Sequence, residues 1–399
     1  MVSLKSTLKV DDPIRLGVVG LGRGFSLSAP SLLEDPHVSV VAASAPRQES
    51  RDSFQKQFGG QAYARYEDLL ADNQVEAIHV VTPHGLHAEM IEQAAAAKKH
   101  LLVDKPLSIQ LEDGLRAIKA CKKHQSTLLV GPCHSFDRQI LDVSDWIRSG
   151  EFGPVLAVQA MNYTDFMYRP RRPEEFDTSA GGGVLFSQGA HQIDIVRLLC
   201  GGMVSQVFAV TGHWDPSRQG EHSYQAILKF ESGATAQCTY SGFAHFDSDE
   251  WQDWVGETGF QKDPDQYAKA RKLLSESTDA EITLKRGRTF GANDLSPIPP
   301  FNEHFGPLLV QCQKADLRVT AQGVHVYADV DRSFRDVPVE ISARAPVFEA
   351  LYSAIRRGTS PVQTGDWSLA TLEICHLIIE SARLGEAVRP KLQVPTPSL

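Results

Sequence analysis

A chain of 399 residues with 42% hydrophobic and 22% charged residues is long enough for two or three domains of about 150 residues, which excludes disorder and fibrous repeats. Its net charge of -9 argues against a nucleic-acid partner, whose phosphates demand a clustered Lys/Arg surface. No apolar run approaches the roughly 18 residues of a membrane span, and residues 1–13 lack the apolar stretch of a secretory signal, so the expectation is a cytoplasmic protein with no membrane partner. Six scattered cysteines without Cys-x-x-Cys or Cys/His spacing predict reduced, buried thiols and no metal site.

Residues 14–19 form a short β-branched apolar run that stops at Gly20-Leu21-Gly22-Arg23-Gly24, as a buried parallel strand feeding a glycine turn. Strands at 38–43, 76–81, 101–103 and 127–130 alternate with helices, among them 86–99 and 111–124, which predicts a doubly wound parallel sheet over residues 1–135. Beyond residue 155 the texture changes. Strands are expected at 155–160, 204–210, 225–230, 234–241, 281–285, 317–320 and 324–327, giving residues 136–399 an α+β domain around a large, mostly antiparallel sheet. A helix is expected over 264–274, a proline-rich linker over 295–302, and amphipathic helices over 345–356 and 368–383 that pack back on the body.

Gly20 and Gly22 directly after a strand suit a turn whose backbone amides and following helix N-terminus hold a pyrophosphate. The third glycine of a G-x-G-x-x-G pattern would fall at Phe25, and Gly24 stands beside it. The second strand ends Ser44-Ala45-Pro46-Arg47 with no carboxylate to bind a ribose 2′-OH, so Arg47 tilts the expectation toward NADP over NAD; a merely solvated Arg47 is the plain alternative. Lys105, at the carboxyl end of an inner strand, should project into the ligand crevice and can stabilise a developing alkoxide. In Gly181-Gly182-Gly183 followed by Ser187, His191 and Asp194, the last three fall at i, i+4 and i+7, a polar stripe that is costly on a buried helix unless it borders a site.

The order of the glycine turn, Thr82-Pro83-His84, Asp104-Lys105-Pro106, Gly182-Gly183 and His191-x-x-Asp194 resembles the Gfo/Idh/MocA oxidoreductases across residues 14–390. The resemblance implies Lys105 and His191 as the catalytic pair, and cofactor contacts from Gly20, Gly22, Arg23, Gly24, Phe25, Ser44, Arg47, Thr82, Pro83, His84, His87, Asp104 and Lys105. Three positions depart from the family pattern: Asp104 replaces a Glu, His84 an Asn, and Ser187 an Asp often used in polyol oxidation. Asp194 has a mainly structural role in the family.

The loop 162–176 carries Tyr163, Arg169, Arg171 and Arg172. In such a family it borders the substrate, and arginine forks bind carboxylates. This loop, together with Glu303-His304-Phe305-Gly306 and Ala315-Asp316-Leu317-Arg318, resembles the phthalate 4,5-cis-dihydrodiol dehydrogenase branch. The implied reaction is oxidation of a small anionic ring dihydrodiol to the catechol, with Tyr163, Arg169, Arg171, Arg172, Ser187 and His191 at the substrate. His191 is expected to take the hydroxyl proton while Lys105 holds the alkoxide. The alternatives are a sugar or cyclitol dehydrogenase, an NAD-dependent glycosidase and a non-catalytic dinucleotide sensor. A homodimer or homotetramer is expected from the family's open sheet.

Overall fold

The computed structural model describes residues 10–397, which divide into two units. The first unit comprises residues 10–132 together with 283–298 and 340–366, and the second holds 133–282, 299–339 and 367–397. The chain first leaves the first unit after residue 132. Two later segments return to it.

The first unit runs β1 (Ile14–Val19), α1 (Arg23–Glu34), β2 (Val38–Ser44), α2 (Gln48–Phe58), β3 (Gln61–Tyr63), α3 (Tyr66–Leu70), β4 (Ala77–Val80), α4 (His87–Ala96), β5 (His100–Val103), α5 (Leu111–His124) and β6 (Leu128–Val130). Its strands are all parallel, in the order β3-β2-β1-β4-β5-β6. Inner strands of such a sheet are covered on both faces, and β4 accordingly has no exposed residue. The strand order reverses between β1 and β4, so the glycine turn after β1 and the Thr82-Pro83 turn after β4 flank the crevice where ligands of open α/β sheets bind.

The second unit contributes α6 (Arg138–Arg148), β7 (Val155–Tyr163), α7 (Ala190–Cys200), β8 (Val204–Gly212), β9 (Ser223–Phe230), β10 (Thr235–Ser241) and α8 (Lys269–Glu276). Then come α9 (Glu281–Arg286), where the chain passes to the first unit, β11 (Leu308–Cys312), β12 (Ala315–Thr320), β13 (Gly323–Ala328) and β14 (Arg332–Asp336). Helix α10 (Ala345–Tyr352) lies in the first unit, and nearly all of α11 (Gly365–Leu384) in the second. The eight strands are ordered β14-β13-β12-β11-β7-β10-β9-β8, antiparallel except for β7 against β10. Period-2 burial along β9 shows one covered and one open face. Phe208, Ile227 and Leu309 lie in one row of the open face, in register with Gln237 and Gln159. Helix α7 is buried on every side.

The structure corrects the expected strand at 281–285, which is the helix α9, and moves the expected helix at 264–274 to α8. Ile282, Thr283 and Leu284 carry β-propensity, but no strand edge is offered to them. All six cysteines are buried and unbridged, and no helix among the described residues is long and apolar enough to cross a membrane.

Candidate active site

The first unit builds its site around the glycine turn. Gly20 has φ +96°, and a Cβ there would stand 2.5 Å from the Val81 carbonyl oxygen, so only glycine lets the turn cross the end of β4. Gly22 opens α1 with open space beside it, the cradle a pyrophosphate requires. At Gly24 a Cβ would meet Val81 Cγ1 at 2.6 Å and Asp104 Oδ2 at 3.0 Å, so this glycine does the helix-packing work expected one position later. The Phe25 side chain is accordingly no cofactor contact: it is fully buried against Phe54, Phe58 and Phe290. Arg23 is the first residue of α1.

Ser44 is buried, and its carbonyl accepts the Gly20 N–H at 3.0 Å, so it braces the turn. Arg47 is exposed, and its guanidinium donates to Thr289 Oγ1 at 3.1 Å and the Leu21 carbonyl at 3.4 Å. Arg51, which the sequence pattern did not single out, donates to the Ala45 and Pro46 carbonyls at 2.8 Å each. Neither arginine forms an ion pair with a carboxylate among the described residues.

His87 is fully buried, with Nδ1 2.8 Å from the Pro106 carbonyl and Nε2 2.9 Å from the Thr82 carbonyl. With both nitrogens engaged it ties the Thr82-Pro83 turn to the Lys105-Pro106 turn, and is a brace in place of the expected cofactor contact. His84 stands edge-on to it at 5.7 Å. Lys105 is half-buried just beyond β5, where the chain passes through a cis Lys105–Pro106 bond. Burial raises the Asp104 carboxyl above its ordinary range despite the adjoining Lys105 charge. Asp104 packs under the first turn of α1 beside Gly24.

The second unit centres on His191. The residues Leu185–Gly189 form a π-helical turn before α7, so the expected i, i+4 ladder from Ser187 to His191 is broken by the wider turn. Asp194 and His191 do share a face, and the 133–135 segment touches both. The Asp194 carboxylate accepts from Cys133 Sγ (3.2 Å), Trp367 Nε1 (2.6 Å), Thr371 Oγ1 (2.9 Å) and Ser135 Oγ, and is a structural hub. The His191 ring, 8% exposed, lies 4.7 Å edge-on from His134 and 5.2 Å from Phe305, and its Nδ1 accepts the His134 N–H at 3.4 Å. That bond leaves the proton of the neutral ring on Nε2.

Beneath His191 lies a buried charge network. His134 Nδ1 bonds Asp137 Oδ2 at 2.8 Å, and its Nε2 faces Glu257 Oε1 at 3.8 Å. Burial alone would strip the proton from His134, but Asp137 and Glu257 outweigh it and push its pKa up to about 10. Burial alone would protonate Glu257, yet His134 and Arg169 hold it down to about 2. His134, Asp137 and Glu303 bring ligand-type atoms within 4.8 Å of one another. Of these, His134 and Asp137 form an ion pair.

The arginine loop is neutralised by carboxylates. Arg169 pairs with Asp165 (3.2 Å) and Glu257 (3.7 Å), Arg171 with Glu175 (3.7 Å) while stacking on Phe166, and Arg172 with Glu174 (3.2 Å) and Glu175 (3.4 Å). Tyr163 turns away from the site. Its neighbour Asn162 pairs with Tyr240, which stacks on Phe305 at 5.9 Å, and strand alternation sends Tyr163 to the opposite face beside Phe246. His134 and Phe305 therefore pack on His191, with Glu257 and Tyr240 behind them, and the site motifs of the sequence include none of the four as a site residue. The only signal for any of them was the Glu303-His304-Phe305-Gly306 motif.

Residues 14–132 match the oxidoreductase family model described as an NAD-binding Rossmann fold, and residues 140–260 match the family's C-terminal domain. The chain is a Gfo/Idh/MocA oxidoreductase. It is 38% identical, over 93% of its length and 95% of the relative's, to a 1-carboxy-3-chloro-3,4-dihydroxycyclohexa-1,5-diene dehydrogenase from Comamonas testosteroni. Its likeness to a myo-inositol 2-dehydrogenase from Thermotoga maritima is 28% over 62% of this chain and 74% of that one. A provisionally named dehydrogenase of Bordetella bronchiseptica RB50 has the same fold, with a TM-score of 0.90, 35% identity, and 95% of this chain and 100% of that chain covered. This Gfo/Idh/MocA chain is thus a dehydrogenase-type enzyme with a dinucleotide-binding Rossmann unit.

Proposed function

We propose that the protein is an NAD(P)-dependent dehydrogenase, NADP preferred, that oxidises a carboxylated cyclohexadiene cis-diol, of the phthalate 4,5-cis-dihydrodiol type, to its catechol. The observation that carries the reading is His191: a buried imidazole held by a backbone N–H on a helix whose remaining polar residues are structurally engaged. The substrate class is supported by the likeness to the C. testosteroni enzyme. Bound nicotinamide supplies the acceptor for the two electrons and the carbon-bound hydrogen.

The chain's own groups manage the hydroxyl proton. With Nδ1 occupied, His191 offers Nε2–H to the substrate oxygen and stabilises the alkoxide, and Lys105 removes the proton. This reverses the division expected from sequence, in which His191 is the base. That division would require the His191 proton to move to Nδ1 and the His134 bond to break. The ketone so formed tautomerises to the aromatic diol, which drives the step forward.

Arg169 is assigned to the substrate carboxylate because, of the three arginines, it is the one linked through Glu257 to His134 and so to His191; all three already pair with carboxylates. Oxidation of a neutral cyclitol is the second reading, favoured by the inositol dehydrogenase relative and disfavoured by Ser187. Exposed Phe208, Ile227 and Leu309 on the open sheet face support a homo-oligomer.

Nicotinamide absorbance followed with NAD and with NADP, against carboxylated cis-dihydrodiols and a panel of cyclitols and sugars, tests the reading. The carboxylated diol should exceed the neutral polyols in kcat/KM by roughly tenfold or more. Turnover of neutral polyols alone would overturn it.

A further inference from the structure

Residues 283–298 lie far along the chain from the glycine turn, yet they fold onto it. Phe290 is 2% exposed and packs edge-on against Phe25 at 4.7 Å, with Phe58 at 6.2 Å, and its N–H reaches the Gly22 carbonyl at 3.4 Å. Gly291, at φ +85°, lies so close to α2 that a Cβ would stand 2.6 Å from Ser53 Oγ. The segment is thus pinned to the start of α1 and to α2. Between these pins Thr289 Oγ1 accepts from Arg47 and donates to the Arg286 carbonyl at 2.8 Å.

The consequence falls on Arg47. One terminal nitrogen is fixed by Thr289 and the Leu21 carbonyl, while its Nε and other terminal nitrogen make no bond among the described residues. The result is an exposed guanidinium held at the tip of β2 beside Arg51, with its Nε–H and other terminal N–H groups left open. The α2 helix begins there without a side-chain cap, and residues 44–47 at the strand tip include no carboxylate to take a ribose 2′-hydroxyl. An oriented guanidinium with open N–H donors suits a dianionic phosphate monoester and offers a ribose hydroxyl little.

We propose that the 283–298 segment completes the adenosine end of the dinucleotide site, with Thr289 as a positioning residue that aims Arg47 at the 2′-phosphate. The inference rests on the dinucleotide reading above and adds a selectivity device drawn from a remote part of the chain.

Titration of the intact protein with NADPH and with NADH, followed by protein fluorescence, tests it without turnover. In wild type NADPH should bind more tightly than NADH. Thr289→Val, which keeps the side-chain shape and removes the acceptor, should weaken NADPH about five- to tenfold and NADH less than about twofold. Arg47→Ala should weaken NADPH by roughly tenfold or more. The double variant should be no worse than Arg47→Ala, because Thr289 acts through Arg47. The inference is overturned if Thr289→Val leaves the NADPH/NADH ratio unchanged, if its effect adds fully to that of Arg47→Ala, or if wild type prefers NADH. Failure of both dinucleotides to bind would instead overturn the dinucleotide reading itself.

Discussion

Replacing Lys105 with alanine should lower kcat by about 10²- to 10⁴-fold while changing the dinucleotide Kd by less than about threefold. The companion experiment separates the two divisions of labour. His191→Gln retains an N–H donor near the position of Nε2 but no basic nitrogen, whereas His191→Ala retains neither. If His191 is the donor and Lys105 the base, His191→Gln should keep at least about tenfold more kcat than His191→Ala. If His191 is the base, both variants should be equally impaired, and Lys105→Ala should be the milder lesion. Steady-state kinetics on the three variants, with dinucleotide titrations as the control for folding and binding, decide between them.

The second large effect concerns stability. Glu257→Gln removes the half-buried carboxylate shared by Arg169 and His134, a loss of about 1–3 kcal/mol. Because the Glu257 pKa is depressed from 4.5 to about 2, its contribution is present above 4.5 and lost as pH falls toward 2. The pKa of His134 is raised from 6.5 to about 10, so its contribution is complete below 6.5 and lost as pH rises through 10. The network therefore stabilises the second unit most between pH 4.5 and 6.5. Thermal melts across pH should show the wild-type advantage over Glu257→Gln widest in that interval and shrinking on both sides. A difference in Tm that stays constant with pH would mean that the network is not ionised as described.

Local patterns carried much of this fold. A strand stopping at Gly20, a lysine just past an inner strand at Lys105 and a histidine on the fully buried helix α7 are each decided by a few consecutive residues, and each stands where the pattern placed it. The resemblance of their order to one family extended these points to an architecture. What remained hidden depended on partners remote in sequence. Arg169, Arg171 and Arg172 read as a basic loop, because Glu257 and Glu281 lie some 80 to 110 residues further on, and the nearby Asp165, Glu174 and Glu175 could equally have faced solvent.

The facing of Tyr163 was hidden for a different reason. Alternation fixes only relative facing along β7, and the absolute phase is set by pairing with β10. The π-turn at Leu185–Gly189 shifts the Ser187 register without any proline or other sequence marker. The return of residues 283–298 to the first unit is recorded mainly in one phenylalanine, Phe290, whose aromatic partners at 25 and 58 lie more than two hundred residues away.

The central claim is that this enzyme turns over by moving hydrogen from a carbinol carbon to nicotinamide. A carboxylated cis-dihydrodiol deuterated at its carbinol carbons, incubated with the enzyme and oxidised dinucleotide, tests that directly by proton NMR of the products. The account predicts deuterium on nicotinamide C4 and one catechol formed per dinucleotide reduced. Reduced dinucleotide lacking deuterium at C4, or catechol formed without dinucleotide reduction, would contradict it; the second carbinol deuterium leaves to solvent when the ring aromatises.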